Sequence, residues 1–188
     1  MGIETLFKRS NSYSRMRLEE WLQTLEIDAE AVADVGAKKS PVQHRVKSWR
    51  VTRYDILDLP EYDLNKEWEI YEVYDAVFCL EVLEYVYNPL QAMKNLHRML
   101  KSAGVLYASF HFIYPHHGPR SRDYLRYTQW GVDKLLEEAG FGSWERYSRP
   151  FRRPWGIALF YMGEKMKGLD NNLGQLHGDQ GYLVKALK

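Results

Sequence analysis

Three of the chain's six histidines fall in one short stretch: His111, His116 and His117. Residues 110–128 read Phe-His-Phe-Ile-Tyr-Pro-His-His-Gly-Pro-Arg-Ser-Arg-Asp-Tyr-Leu-Arg-Tyr-Thr and leave the end of an apolar run. An imidazole titrates near neutral pH, so His116 or His117 can take a proton from a hydroxyl or amine that acts as a nucleophile. Asp123 can orient such a base or pair with Arg126. The plainer reading is a loop of solvated, hydrogen-bonded histidines. Zinc requires further ligands at fixed spacing, and no cysteine lies nearby, so no metal is expected. His111, Tyr114 and Arg126 are candidates for substrate contact. So is Arg152, in the basic, aromatic, proline-broken turn from Arg149 to Trp155, which suits a phosphate or other acidic group. A second set of ionisable groups, Glu81 and Glu84, follows another apolar run and is close enough for acid–base work.

Strands and helices must bring these residues together. Tyr74 to Leu80 is a short apolar run, the pattern of a strand buried on both faces. Asn88-Pro89 opens a helix, with Asn88 as N-cap and Pro89 where its missing N–H costs nothing. Leu90, Met93, Leu96 and Leu100 give that helix an apolar face, and Gly104 is expected to stop it. Val105 to Phe110 is the next buried strand. Strand, helix and strand of these lengths predict a right-handed crossover in a parallel sheet. Earlier, Ala31 to Ala37 reads as a strand entering a tight turn at Gly36, and Trp49 to Leu57 as the strand after it. Asp55, about 20 residues past the glycine turn, sits where folds of this class hold a ribose hydroxyl. The span 55–75 is too short for a full helix and strand, and is expected to be extended; Asp63 within it is a candidate partner for an adenine amine. Leu18, Trp21, Leu22 and Leu25 predict a helix over 15–25. Thr128 caps another helix that Gly140 ends, a strand follows over 141–148, Pro154 starts an apolar helix through Met166, and 181–187 is a final strand.

The length, 188 residues, suits a single domain, read as a helical lid or cap over 1–28 and an α/β core over 31–188. A net charge of +1 gives no global field toward nucleic acid or membrane. A nucleic-acid surface built on Arg149, Arg152 and Arg153 runs against that balance. The lone Cys79 excludes an internal disulfide and, in its apolar strand, reads as a core thiol. No long apolar span is visible, so a soluble, cytoplasmic chain without membrane insertion is expected. The sequence leaves oligomeric state open.

The stretch Tyr74-Asp75-Ala76-Val77-Phe78-Cys79-Leu80-Glu81-Val82-Leu83-Glu84-Tyr85-Val86-Tyr87-Asn88-Pro89 resembles the middle motif of the class I S-adenosyl-L-methionine (SAM) methyltransferases, in particular their type 11 branch. The likeness runs on through Arg98-Met99-Leu100-Lys101, Gly104, the Asp123…Arg126-Tyr127-Thr128 block and Glu138-Ala139-Gly140-Phe141, and covers most of 34–141. It implies a Rossmann-like, mostly parallel sheet flanked by helices, with a final antiparallel strand. It also implies SAM as cofactor, a small-molecule methyl acceptor such as a sugar or other metabolite hydroxyl, and a cofactor set of Asp34, Gly36, Ala37, Asp55, Asp63, Cys79 and Glu81. Of the family's acid-x-Gly-x-Gly-x-Gly loop, Asp34 and Gly36 match; Lys38 and Ser40 stand at the later glycine places, and Tyr85 stands where the family has histidine. These departures leave a second reading, a methyltransferase-like subunit retired from catalysis and used for binding or assembly.

Overall fold

The computed structural model describes residues 13–114, 120–150 and 179–188. Helix α1 (Tyr13–Leu22) leads into strands β1 (Glu26–Val35) and β2 (Ser48–Leu57). Strand β3 (Tyr74–Cys79), helix α2 (Pro89–Met99) and strand β4 (Leu100–His111) form the expected crossover unit, followed by α3 (Gln129–Ala139), β5 (Ser143–Pro150) and β6 (Asp179–Leu187). The six strands form one sheet in the order β2-β1-β3-β4-β6-β5. Pairings among β2, β1, β3 and β4 are parallel, whereas β6 runs antiparallel to both β4 and β5.

Alternate residues of β1 feed two cores, as the period of a strand buried on both faces requires. Ala31, Ala33 and Val35 pack with Val77, Cys79, Met93, Leu96 and Leu136 on the face covered by α2 and α3. Val32 packs on the other face with Ala76, Phe78, Tyr107 and the α1 residues Leu18, Trp21 and Leu22. The helix ends obey local rules. Asn88 accepts from the Gln91 N–H, Thr128 accepts from the Gly131 N–H, and Gly140 takes φ +99 past the end of α3.

Gly104 does not end α2. The helix stops at Met99, Leu100 is already extended, and Gly104 lies inside β4. Leu100 pairs with Tyr74 and regular pairing resumes at Val105 with Ala76; Ala103, at φ +60, turns within that irregularity. The connections on the β2 side are contracted. Between β1 and β2 there is only a turn of 3-10 helix, Val42–His44, and between β2 and β3 there is no further strand. The span 58–73 is instead tied down by Asn95 of α2. Its carbonyl accepts from the Trp68 N–H (3.1 Å) and its amide donates to the Lys66 carbonyl (2.7 Å). The helix expected over 154–166 lies outside the described residues.

Candidate active site

The parallel strands end together at one edge. Register places Asp34 beside Phe78 and Ile56, and Val35 beside Cys79 and Leu57. The turn that follows β1 therefore sits between the ends of β2 and β3, the crevice in which open α/β sheets bind ligands. Gly36 is exposed there, with φ +75, and its N–H donates to the Leu57 carbonyl (2.8 Å). A β-carbon on Gly36 would lie 2.5 Å from Val82 Cγ2, so the glycine is required by the fold and not by a ligand's approach alone. Ala37 is buried behind it. The Lys38 and Lys39 side chains are exposed, and the Ser40 hydroxyl accepts from Arg15 Nη2 (3.0 Å).

Asp34 serves the turn from below. It is 2 % exposed, and its Oδ2 accepts from the Val42 N–H (2.8 Å) and the Tyr54 hydroxyl (2.6 Å). Burial pushes its carboxyl up to about 6, against the opposing pull of those two donors and of Arg45.

Asp55 does not reach the edge. It stands opposite Ala33, where its Oδ2 accepts from the Tyr74 hydroxyl (2.9 Å) and meets Arg53 Nε at 2.9 Å. Asp58 is the acid at the carboxyl end of β2. It directly follows Leu57, and its carboxylate accepts from the Lys38 N–H (3.2 Å) and the Leu59 N–H (2.8 Å). Its signal in the sequence is its place straight after the apolar pair Ile56-Leu57. Asp63 spends Oδ1 on the N–H (3.0 Å) and side-chain amide (2.9 Å) of Asn65, and these bonds, led by the Asn65 N–H, hold its carboxyl below its ordinary value. Cys79 is fully buried in the core among α2 and β4 side chains, where burial pushes its thiol up.

Past β3 the chain turns sharply at Glu81, whose φ is +59. The Ser109 hydroxyl accepts from the Glu81 N–H (2.7 Å) and donates to Glu81 Oε1 (2.9 Å). Arg149 Nη1 also donates to Oε1, at 2.7 Å. His111 Nε2 lies 3.3 Å from Glu81 Oε2 and 3.2 Å from Glu84 Oε1. Burial alone would raise the Glu81 carboxyl, but His111 and Arg149 hold it well below the usual carboxylate range. Burial works against a charge on His111, yet the two carboxylates push it up to about 9. His111 is thus a buried cation at neutral pH, covered by the Tyr114 ring stacked at 4.2 Å, and not a surface ready to meet substrate.

Asp123 and Arg126 form a two-pronged pair at 2.5 and 2.7 Å, and Arg126 Nε donates to the Tyr114 carbonyl (3.1 Å). Of the two roles open to Asp123, the structure takes the pair with Arg126, and the buried Asp123 braces the 120–128 loop against Tyr114. The same loop is fastened to the segment after β3: the Tyr124 N–H donates to the Glu84 carbonyl (2.8 Å) and the Tyr127 hydroxyl to the Leu83 carbonyl (2.7 Å). Tyr85, in the place of the family's histidine, is half-buried and pushed up to about 12 by burial and then by Glu84 and Asp123, so it stays a neutral phenol. His116, His117 and Arg152 lie outside the described residues. Arg149, read in the sequence as part of a basic turn, is buried and unavailable to a nucleic acid.

The edge suits the nucleoside end of SAM. An exposed turn without a side chain, Gly36, adjoins an acid, Asp58, whose known partners are backbone N–H groups that leave lone pairs for ribose hydroxyls. Among the described residues no group of three or more His, Cys, Asp and Glu could hold a metal ion, and no helix is long and apolar enough to cross a membrane.

Residues 21–106 match the family model described as a methyltransferase domain. A SAM-dependent methyltransferase from Archaeoglobus fulgidus superposes with a TM-score of 0.62 at 12% identity, covering 100% of both chains. One from Thermotoga maritima gives 0.63 at 12% identity, over 98% of this chain and 96% of that one. Haemonchus contortus phosphoethanolamine N-methyltransferase 2, solved with SAM, gives 0.52 at 11% identity, over 98% of this chain and 59% of that one. Among curated proteins there is no match. At these identities the structural likeness speaks for the fold alone, and the domain match spans residues 21–106 of the 188.

Proposed function

We propose that this chain is a class I SAM-dependent methyltransferase that methylates a small-molecule acceptor at the carboxyl edge of β3 and β4, a reading supported by the matched methyltransferase domain and by the fold. The observation that carries the reading is the junction of Gly36 with Asp58 beside the end of β3. When bound, SAM supplies a methyl group already activated on a sulfonium. Asp58 accepts the ribose hydroxyls, and the Gly36 turn lets the ligand lie against the backbone. The chain's remaining work is to hold an acceptor in line and to keep water out, an effect of about 7–11 kcal/mol in well-oriented reactions. The 120–128 loop is fastened to Leu83 and Glu84 at the same edge, and a small hydroxyl-bearing or similar metabolite is the acceptor class proposed. His111 is protonated at neutral pH and serves to hold the carboxylates, so a base, where the acceptor needs one, comes from elsewhere, with His116 and His117 as the candidates.

One observation favours the retired-subunit alternative: only a turn of 3-10 helix, and no α-helix, follows the glycine turn to offer its N-terminus to the methionine carboxylate. Titration with SAM separates the two. The wild type is expected to bind, and Asp58→Ala to bind about 10- to 100-fold more weakly, the worth of hydrogen bonds to a charged group. Asp55→Ala is expected to bind like wild type. Absence of SAM binding by the wild type, or equal loss in both variants, overturns the proposal. Release of the demethylated product on adding candidate hydroxyl compounds then identifies the acceptor.

A further inference from the structure

The buried guanidinium of Arg149 joins parts of the chain that are far apart in sequence. It is 0 % exposed. Its Nε and Nη2 donate to the Ser14 carbonyl of α1 (3.1 and 2.9 Å), while Nη1 donates to Glu81 Oε1 (2.7 Å). Ser14 is itself fully buried. Arginine's planar fork can serve both acceptors at once, which a lysine's point charge cannot reproduce in the same geometry. On the Glu81 side the contact is tightly determined. The residue adopts a left-handed backbone unfavourable to a side chain, and Ser109 bonds both its N–H and its carboxylate, so that the carboxylate turns inward. The same sharp turn sets where Val82 and Gly36 meet.

We infer that Arg149 is a positioning residue that couples the docking of α1 to the geometry of the Glu81 turn, and through it to cofactor binding. The inference rests on the SAM site proposed above. If the bound cofactor favours one geometry of that turn, it must also favour docked α1, and docked α1 must favour cofactor by the same factor.

The experiment is amide hydrogen exchange on the whole protein, with and without saturating SAM. In the wild type, SAM is expected to slow exchange over Ser14–Leu22 by roughly fivefold or more, the lower end of ordinary coupling. Arg149→Gln is expected to lose that slowing and to bind SAM at least about fivefold more weakly, with α2 and α3 exchanging as in wild type. Arg149→Lys, which keeps the charge beside Glu81 but not the fork to Ser14, is expected to lose both the slowing in α1 and the affinity that goes with it, and wild-type affinity without the slowing overturns the coupling. Should Arg149→Gln fail to fold, the wild-type comparison alone decides. SAM binding that leaves α1 exchange unchanged overturns the coupling while sparing the SAM site. Slowing that persists in Arg149→Gln overturns it too. A wild type that does not bind SAM overturns both.

Discussion

Asp34 keeps its carboxylate at a site 2 % exposed, supported by one N–H and one phenol. Its pKa rises from 3.8 to about 6, so the folded protein holds the proton more tightly than the unfolded chain. The associated stability is fully present below 3.8 and is lost as pH rises through 6, to a total of about 3 kcal/mol for two pH units. Asp34→Asn keeps an oxygen acceptor and removes the charge. Its stability relative to wild type is expected to rise by up to about that amount between pH 4 and 7, read from urea unfolding across the range. A difference that stays flat over this window would refute the assignment. Single residues also show where reading the sequence stops. Asp34 and Gly36 were legible because an acid and a glycine at a strand end need only local context. That Asp58 and not Asp55 lies at the end of β2 was not legible, because register, a property of two strands, decides which acid reaches the edge. Cys79 belongs to the core by the alternation of its strand, which the likeness to a family motif does not override.

Among the elements, the most unusual replacement is made by one side chain. Where a longer chain would place a further helix and strand, Asn95 binds Trp68 and Lys66 from inside α2, and Arg98 of the same helix donates to the Trp68 carbonyl (3.0 Å). Asn95→Ala strips a buried N–H and a carbonyl of their partner and is expected to cost about 2–3 kcal/mol. Exchange should quicken first at Leu64–Trp68, ahead of β1 and β3. Loss of stability spread evenly over the molecule would show that Asn95 is ordinary core. Capping was legible at this scale, at Asn88, Thr128 and Gly140, because caps are set by a few neighbouring residues. The end of α2 was not. Leu100 is drawn into pairing with Tyr74 on a neighbouring strand, a tertiary demand that overrides the glycine four residues later.

For the molecule as a whole, the parallel sheet and its final antiparallel strand were legible from the spacing of apolar runs and the family resemblance. The buried links across it were not: Arg149 to Ser14 spans 135 residues, and nothing in a run of basic residues says which one will be buried. The place of β6 is equally decisive. It lies between β4 and β5, so removing 179–187 leaves both without that partner. A chain stopped at 178 is expected to lack a cooperative unfolding transition and to aggregate, as light scattering and near-ultraviolet circular dichroism would report; a soluble, native-like spectrum would count against this. The same arrangement bears on birth. On the ribosome β4 emerges long before the strand that must sit beside it, and at about 5–20 residues per second roughly 4–15 seconds pass before that strand is made. Through that interval Val105–His111 offers an open edge of bare amides and carbonyls. The nascent chain has to be shielded there until β6 arrives to seal that edge.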